Sequence, residues 1–186
     1  MLKKQRLNLN GLRVLNTRPQ PQGQALNQAI NEAGGQAISC PALTICAIPP
    51  TFWLPSLPPL STIKQVIFTS VNAVNCFFDG LKKQSIDWPK SIIVIAIGPS
   101  TAKALTQYRI PVHSTPSISD SEHLLVLPPL QQIERQHILL VTGEGGRTLI
   151  AETLTARGCN LTILKVYFRA RPQLNNTELT VLWRNN

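Results

Sequence analysis

Acid is scarce in this chain. Asp and Glu together number 9 among 186 residues, against 18 Lys and Arg, which leaves a formal net charge of +9 at pH 7. So few carboxylates leave little room for acid–base chemistry by Asp or Glu, and no pair falls at glycosidase-like spacing. Aromatic residues are also few, at 5%, and the cations come singly or in pairs. With no helix-turn-helix, RRM or zinc-knuckle pattern, that argues against a nucleic-acid partner. No unbroken apolar run approaches the ~18 residues a bilayer span needs. The basic N-terminus is not followed by an apolar segment, so neither a membrane association nor a secretory signal is expected, and a cytoplasmic location is. The four cysteines, Cys40, Cys46, Cys76 and Cys159, show no CxxC spacing. They read as reduced, mostly buried thiols rather than a metal or disulfide framework. His113, His123 and His137 are scattered and read as structural, so no metal site is expected. Walker A, GxGxxG and GxSxG patterns are all missing.

What remains is a chain that is 43% hydrophobic, the composition of a globular protein. Its charge is unevenly placed. Residues 1–38 and 165–186 together hold nine basic and two acidic residues, net +7, whereas 39–164 carry only +2. The chain ends thus form a cationic partner to a nearly neutral middle, as suits a polyanion.

The middle alternates β-rich runs with helix-period segments, the mark of an α/β protein with a parallel sheet. Strands are predicted over residues 12–16, 65–69, 92–97, 112–114 and 137–142. Helices are predicted over 23–33, 71–81, 100–107, 120–127 and 147–157; the first places Leu26, Ala29, Ile30 and Ala33 on one face and stops at Gly34-Gly35. Residues 36–48 and 161–171 instead read as long extended segments. The first leads into 49–59, where five of eleven residues are proline, a composition that predicts a connector. The layout is therefore discontinuous: a first lobe from 1–36 plus 172–186, hinge strands over 37–48 and 161–171, and an inserted second lobe over 49–160.

Each strand-to-helix junction of a parallel sheet turns helix N-terminal amides toward one edge, where carboxylates and phosphates bind. Three junctions carry suitable small polar residues: Thr69-Ser70-Val71-Asn72, Gly98-Pro99-Ser100-Thr101, and Gly143-Glu144-Gly145-Gly146-Arg147. Any one of these could be no more than a helix cap or a glycine turn. Three on one edge point toward a hydrogen-bonding ligand site. Tyr167 is set apart by lying among three cations in Lys165-Val166-Tyr167-Phe168-Arg169-Ala170-Arg171; it reads equally as a half-buried strand aromatic.

The order of these motifs resembles the uroporphyrinogen-III synthase family. The matching pieces begin with Val14-Leu15-Asn16-Thr17-Arg18-Pro19, Gly34-Gly35 and Pro41-Ala42-Leu43-Thr44-Ile45. The Thr69 and Gly98 junctions follow, then Ser121-Glu122-His123-Leu124-Leu125, the glycine turn, Arg157-Gly158 and Val166-Tyr167. The resemblance implies two flavodoxin-like parallel-sheet lobes joined by a two-stranded hinge. It implies a small-molecule substrate, hydroxymethylbilane, a linear tetrapyrrole with acetate and propionate groups. The reaction is dehydration and ring closure to uroporphyrinogen III with inversion of the last ring, in heme biosynthesis, with no cofactor. Tyr167 would assist departure of the hydroxyl. Thr69, Ser70, Gly98, Ser100, Thr101 and Gly143 would bind carboxylates, chiefly through backbone N–H groups, with Arg18 and Arg147 as cationic partners. The resemblance further implies about two more βα units, ~60 residues, after the second hinge segment. The chain ends at Asn186 within the helix expected to lead into them. The first lobe is thus expected to be incomplete, and the activity of the 186-residue form is in question. A complete chain would be a monomer. The alternative is a non-catalytic α/β anion-binding module, or a fragment completed by a partner chain.

Overall fold

The computed structural model describes residues 8–173, and the stretch 174–186, assigned above to the first lobe, lies outside the described residues. Chain contacts define two compact units, one of Met1–Cys46 with Arg169–Asn186 and one of Ala47–Phe168.

The first unit is a small βαβ element. Strands β1 (Arg13–Asn16) and β2 (Gln36–Ser39) pair in parallel, with Arg13 opposite Gln36 and Asn16 opposite Ser39. Helix α1 (Gln22–Glu32) makes the crossover, ending at Gly34, whose φ of +74° a residue with a side chain adopts only under strain. Buried Asn16 ties the junction together. Its Nδ2 donates to the Gly23 carbonyl (2.8 Å) and Asn27 Oδ1 (2.7 Å), while its Oδ1 accepts from the Arg18 N–H (3.1 Å). The segment 36–48, predicted as one extended piece, is two strands. It breaks after Ser39, and β3 (Thr44–Ala47) resumes beyond Pro41. Proline has no N–H to give to a ladder, which accounts for the interruption.

The second unit contains β4 (Gln65–Phe68), β5 (Ile93–Ala96), β6 (His137–Gly143) and most of β7 (Asn160–Ala170). Within this unit the strand order is β7-β6-β4-β5, and the β4–β5, β4–β6 and β6–β7 pairs are all parallel. Helices α3 (Val71–Lys83), α4 (Pro99–Gln107), α5 (Ser121–Leu125) and α6 (Leu149–Ala156) connect them. All four β4 residues are buried, so alternate side chains feed two different layers. Phe68 joins an aromatic layer with Phe77, Phe78, Trp88 and Trp53, whose rings pack mostly edge to face at 5.3–5.6 Å between ring centres. Ile67 joins an aliphatic layer with Ile95, Leu124, Leu130, Ile138, Leu140, Ile150 and Leu154.

Two local expectations are corrected. The stretch 49–59 is not merely a connector, because Pro50–Trp53 forms a one-turn helix, α2, with proline in its first turn. Proline is tolerated there, where the N–H would have no helical partner. The turn delivers buried Trp53 onto Phe77 at 5.5 Å, and Gly80 leaves the space its ring occupies. Residues 112–114 form only a single parallel bridge, Ser114 to Ile95. Pro111 and Pro116 flank that stretch and limit how far a ladder extends.

Candidate functional site

Strands β5, β4 and β6 are parallel neighbours, so the N-termini of α4, α3 and α6, which follow them, meet at the carboxyl edge of the sheet. At the centre is the start of α3. Ser70 is its N-cap, and Ser70 Oγ accepts from the Ala73 N–H at 3.0 Å. The same oxygen lies 3.1 Å from Tyr167 Oη. Tyr167 is 2% exposed, and its ring lies across the α-carbon of Gly143, where any side chain at 143 would collide with it.

This contact depends on a bulge. From His137 to Thr142 the β6–β7 register advances residue by residue, with Thr142 opposite Lys165. It then skips, placing Gly143 opposite Tyr167. The extra residue turns the end of β7, and the Glu144 N–H donates to the Tyr167 carbonyl at 2.9 Å. A bulge beside a site commonly re-aims a side chain in this way.

Thr69 sits beside this pair. Its hydroxyl donates to Thr142 Oγ1 at 2.9 Å. Gly98 caps α4 without a side-chain bond and packs closely against Ser119. Ser100 is exposed in the first turn, whereas Thr101 is 4% exposed and turned into the packing. At α6 no side chain caps the N-terminus, so the first-turn amides keep only their dipole's partial positive charge. Gly145, at φ +71°, makes the turn before it possible. Arg147 is exposed and paired with Glu122 at 3.1 Å. Arg18 is in the first unit, exposed.

A cavity of about 300 Å³ opens beneath the glycine turn, lined by Thr69, Thr142, Arg147, Thr148 and Lys165 over a floor that includes Leu140, Ile150 and Ile163. Thr142 and Lys165 were not singled out as ligand groups from sequence. The signal was there in the alternation Ile163–Lys165, but only the β6 register shows that it faces Thr142.

The histidines make structural bonds. His123 Nδ1 lies 2.7 and 2.9 Å from the Asp120 oxygens, a carboxylate pairing that the sequence reading did not expect. Asp120 also accepts the His123 N–H at 2.7 Å to cap α5. These bonds hold the Asp120 carboxyl below its ordinary range, assisted by Arg147. Tyr108 Oη donates to Asp79 at 3.0 Å, and burial together with that carboxylate pushes its pKa up. Of the four free cysteines only Cys159 is buried; the other three are half-buried. Among the described residues no group of three potential ligands could hold a metal, and no helix is long and apolar enough to cross a membrane.

An open parallel α/β sheet with helix N-termini and hydroxyls gathered at its carboxyl edge belongs to the doubly wound class, whose ligands sit at that edge. Comparison with known proteins narrows the class. The family model described as uroporphyrinogen-III synthase HemD matches residues 24–186. The uroporphyrinogen-III synthase of Proteus mirabilis is 34% identical over 92% of this chain and 87% of its own length. That of Salmonella typhimurium is 34% identical over 91% of this chain and 70% of its own. The chain belongs to the uroporphyrinogen-III synthase family. Among solved structures, a mutant uroporphyrinogen III synthase of Thermus thermophilus superposes with a TM-score of 0.65 at 18% identity, over 87% of this chain. The enzyme from Helicobacter pylori gives 0.53 at 19%. These show the fold, and this chain spans 64% and 61% of those two chains.

Proposed function

We propose that the chain converts hydroxymethylbilane to uroporphyrinogen III in the cytoplasm without a cofactor, the complete chain acting as a monomer. The observation that carries this is the Ser70–Tyr167 hydroxyl pair, 3.1 Å apart, at the N-terminus of α3. A hydroxymethylpyrrole loses its hydroxyl readily, because the ring nitrogen stabilises the cation left behind. The protein then needs one positioned donor and a rigid grip on the rest of the chain, rather than a strong acid. In this reading Tyr167 O–H donates to the departing oxygen. Ser70 Oγ, already accepting from Ala73, can turn its own proton toward Tyr167 Oη and support the charge that gathers there. The amides beginning α3, α4 and α6, at Ser70, Gly98–Thr101 and the Gly143 turn, take carboxylate arms, with Arg147 exchanging Glu122 for one of them. Exposed ion pairs of that kind are worth roughly 0–1 kcal/mol, so the exchange is cheap. Arg18 is proposed as a further cation, and residues 37–48 and 161–171 as the hinge between lobes.

The deciding experiment supplies enzymatically generated hydroxymethylbilane to the 186-residue chain and separates type I from type III product. Predominant type III is expected. Type I alone, formed at the uncatalysed rate, would remove the activity and leave an anion-binding module.

A further inference from the structure

We infer that Lys165 is the cation of a carboxylate subsite beneath the glycine turn, which takes one acetate or propionate arm of the tetrapyrrole. The inference rests on the function proposed above, but its evidence is separate: a cavity and the unsatisfied chemistry of its wall. The cavity holds about 300 Å³, ample for a carboxylate arm and the edge of its pyrrole ring. Its floor of Leu140, Ile150 and Ile163 is apolar, as the flat face of a pyrrole requires.

The walls differ in what they have left to offer. Arg147 is engaged by Glu122 at 3.1 Å. Lys165 lines the same cavity, is exposed, and has no acidic partner within 4 Å among the described residues. Directly opposite it in the β6–β7 register stands Thr142. Thr142 Oγ1 already accepts the Thr69 hydroxyl at 2.9 Å, so its own proton is the one available to a ligand. A carboxylate set between Lys165 and Thr142 gains a charge-assisted bond from the first and a neutral one from the second, while the uncapped start of α6 faces the same space. The strand bulge that places Tyr167 over Gly143 begins immediately after this pair. An arm held by Lys165 is therefore fixed two residues along β7 from the proposed donor, Tyr167.

The test measures equilibrium binding of uroporphyrin III, the stable oxidised form of the product, by fluorescence, alongside the isomer assay. Lys165→Met is expected to weaken binding and raise KM by about tenfold, the scale of a partly screened bond to a charged group, with kcat within about twofold. Lys165→Arg should stay within about threefold of the parent. Lys90→Met, an exposed lysine outside the site, makes the same change in net charge and should have no effect. Coproporphyrin III, in which methyl groups replace the acetates, separates the two arms. Lost dependence on Lys165 assigns an acetate, and retained dependence assigns a propionate. If Lys165→Met and Lys90→Met bind alike while the parent makes type III product, the subsite is wrong and the activity stands. Lys165-dependent binding without turnover would leave the subsite and overturn the activity. A parent chain that does not bind uroporphyrin III would overturn the subsite.

Discussion

Tyr167 and Gly143 depend on each other, and substitutions at the two positions should fail differently. Tyr167→Phe keeps the ring over Gly143 and loses only the hydroxyl that meets Ser70. Because the pyrrole itself assists the departure, the missing donor should lower kcat by only about 10–100-fold, at or below the bottom of the range for general acids, with KM within about twofold. A steady-state isomer assay checks this, and unchanged kcat would remove Tyr167 from the chemistry. Gly143→Ala puts a methyl group into the ring's place and should cost about 1–3 kcal/mol, as overpacking does, read from the urea midpoint. Its activity should fall as well, because the ring must move. Ser70, Tyr167 and Gly143 could all be singled out in the sequence, since hydroxyls and glycines at strand–helix junctions have local reasons to be there. Their convergence could not be, because Tyr167 reaches Ser70 across 97 positions through a bulge that no residue pattern announces. Lys165 was hidden for the same reason. Among flanking cations it looked like one charge of several until its register with Thr142 was known.

Helix starts dominate at the scale of elements. Ser70→Ala removes the α3 cap and should cost ~1 kcal/mol, measurable by urea denaturation, in addition to the hydroxyl partner of Tyr167. A cost near zero would mean that Ser70 does not cap α3 in solution. At α5 the cap responds to pH. Asp120 has a lowered pKa in the folded chain, chiefly because His123 bonds to its carboxylate. Its contribution is thus fully present above the ordinary Asp range and is lost as pH falls through the lowered value. Stability should decline on acidification below about pH 4, and Asp120→Asn, which still caps but does not titrate, should flatten that decline in urea midpoints taken from pH 3 to 6. Identical slopes would discharge Asp120 from the acid response. The helices with a clear 3.6-residue pattern, such as α1 and α3, were legible to within a residue or two. The α2 turn was not. Its four residues, Pro50–Trp53, are too short for a period, and the prolines that permit a helix start also read as a connector.

The units differ most in how much apolar surface they bury. Among the described residues the buried apolar side chains of the first unit are Ile30 and Ile38, while the second unit buries both its aromatic and its aliphatic layers. The βα alternation foretold this only in part. It identified the strands, but how many side chains a strand buries depends on whether both its faces are covered, as they are for β4 and for neither strand of a two-stranded sheet. Opening free energies follow local burial, so the molecule should not exchange its amide hydrogens as one unit. In native-state hydrogen exchange the β4 and β6 amides, central in the sheet order, should be the slowest and report global unfolding. Amides of β1 and β2 should exchange on the order of 100-fold faster or more, through an opening that leaves the second unit folded. Because ligand adds its binding energy only to states that hold it, uroporphyrin III should slow β4 and β6 exchange if the carboxyl edge of the second unit is where it binds. Equal protection of β1 and β4 would show a single cooperative unit and overturn the division, whereas ligand protection confined to β1 and β2 would place the site away from Tyr167.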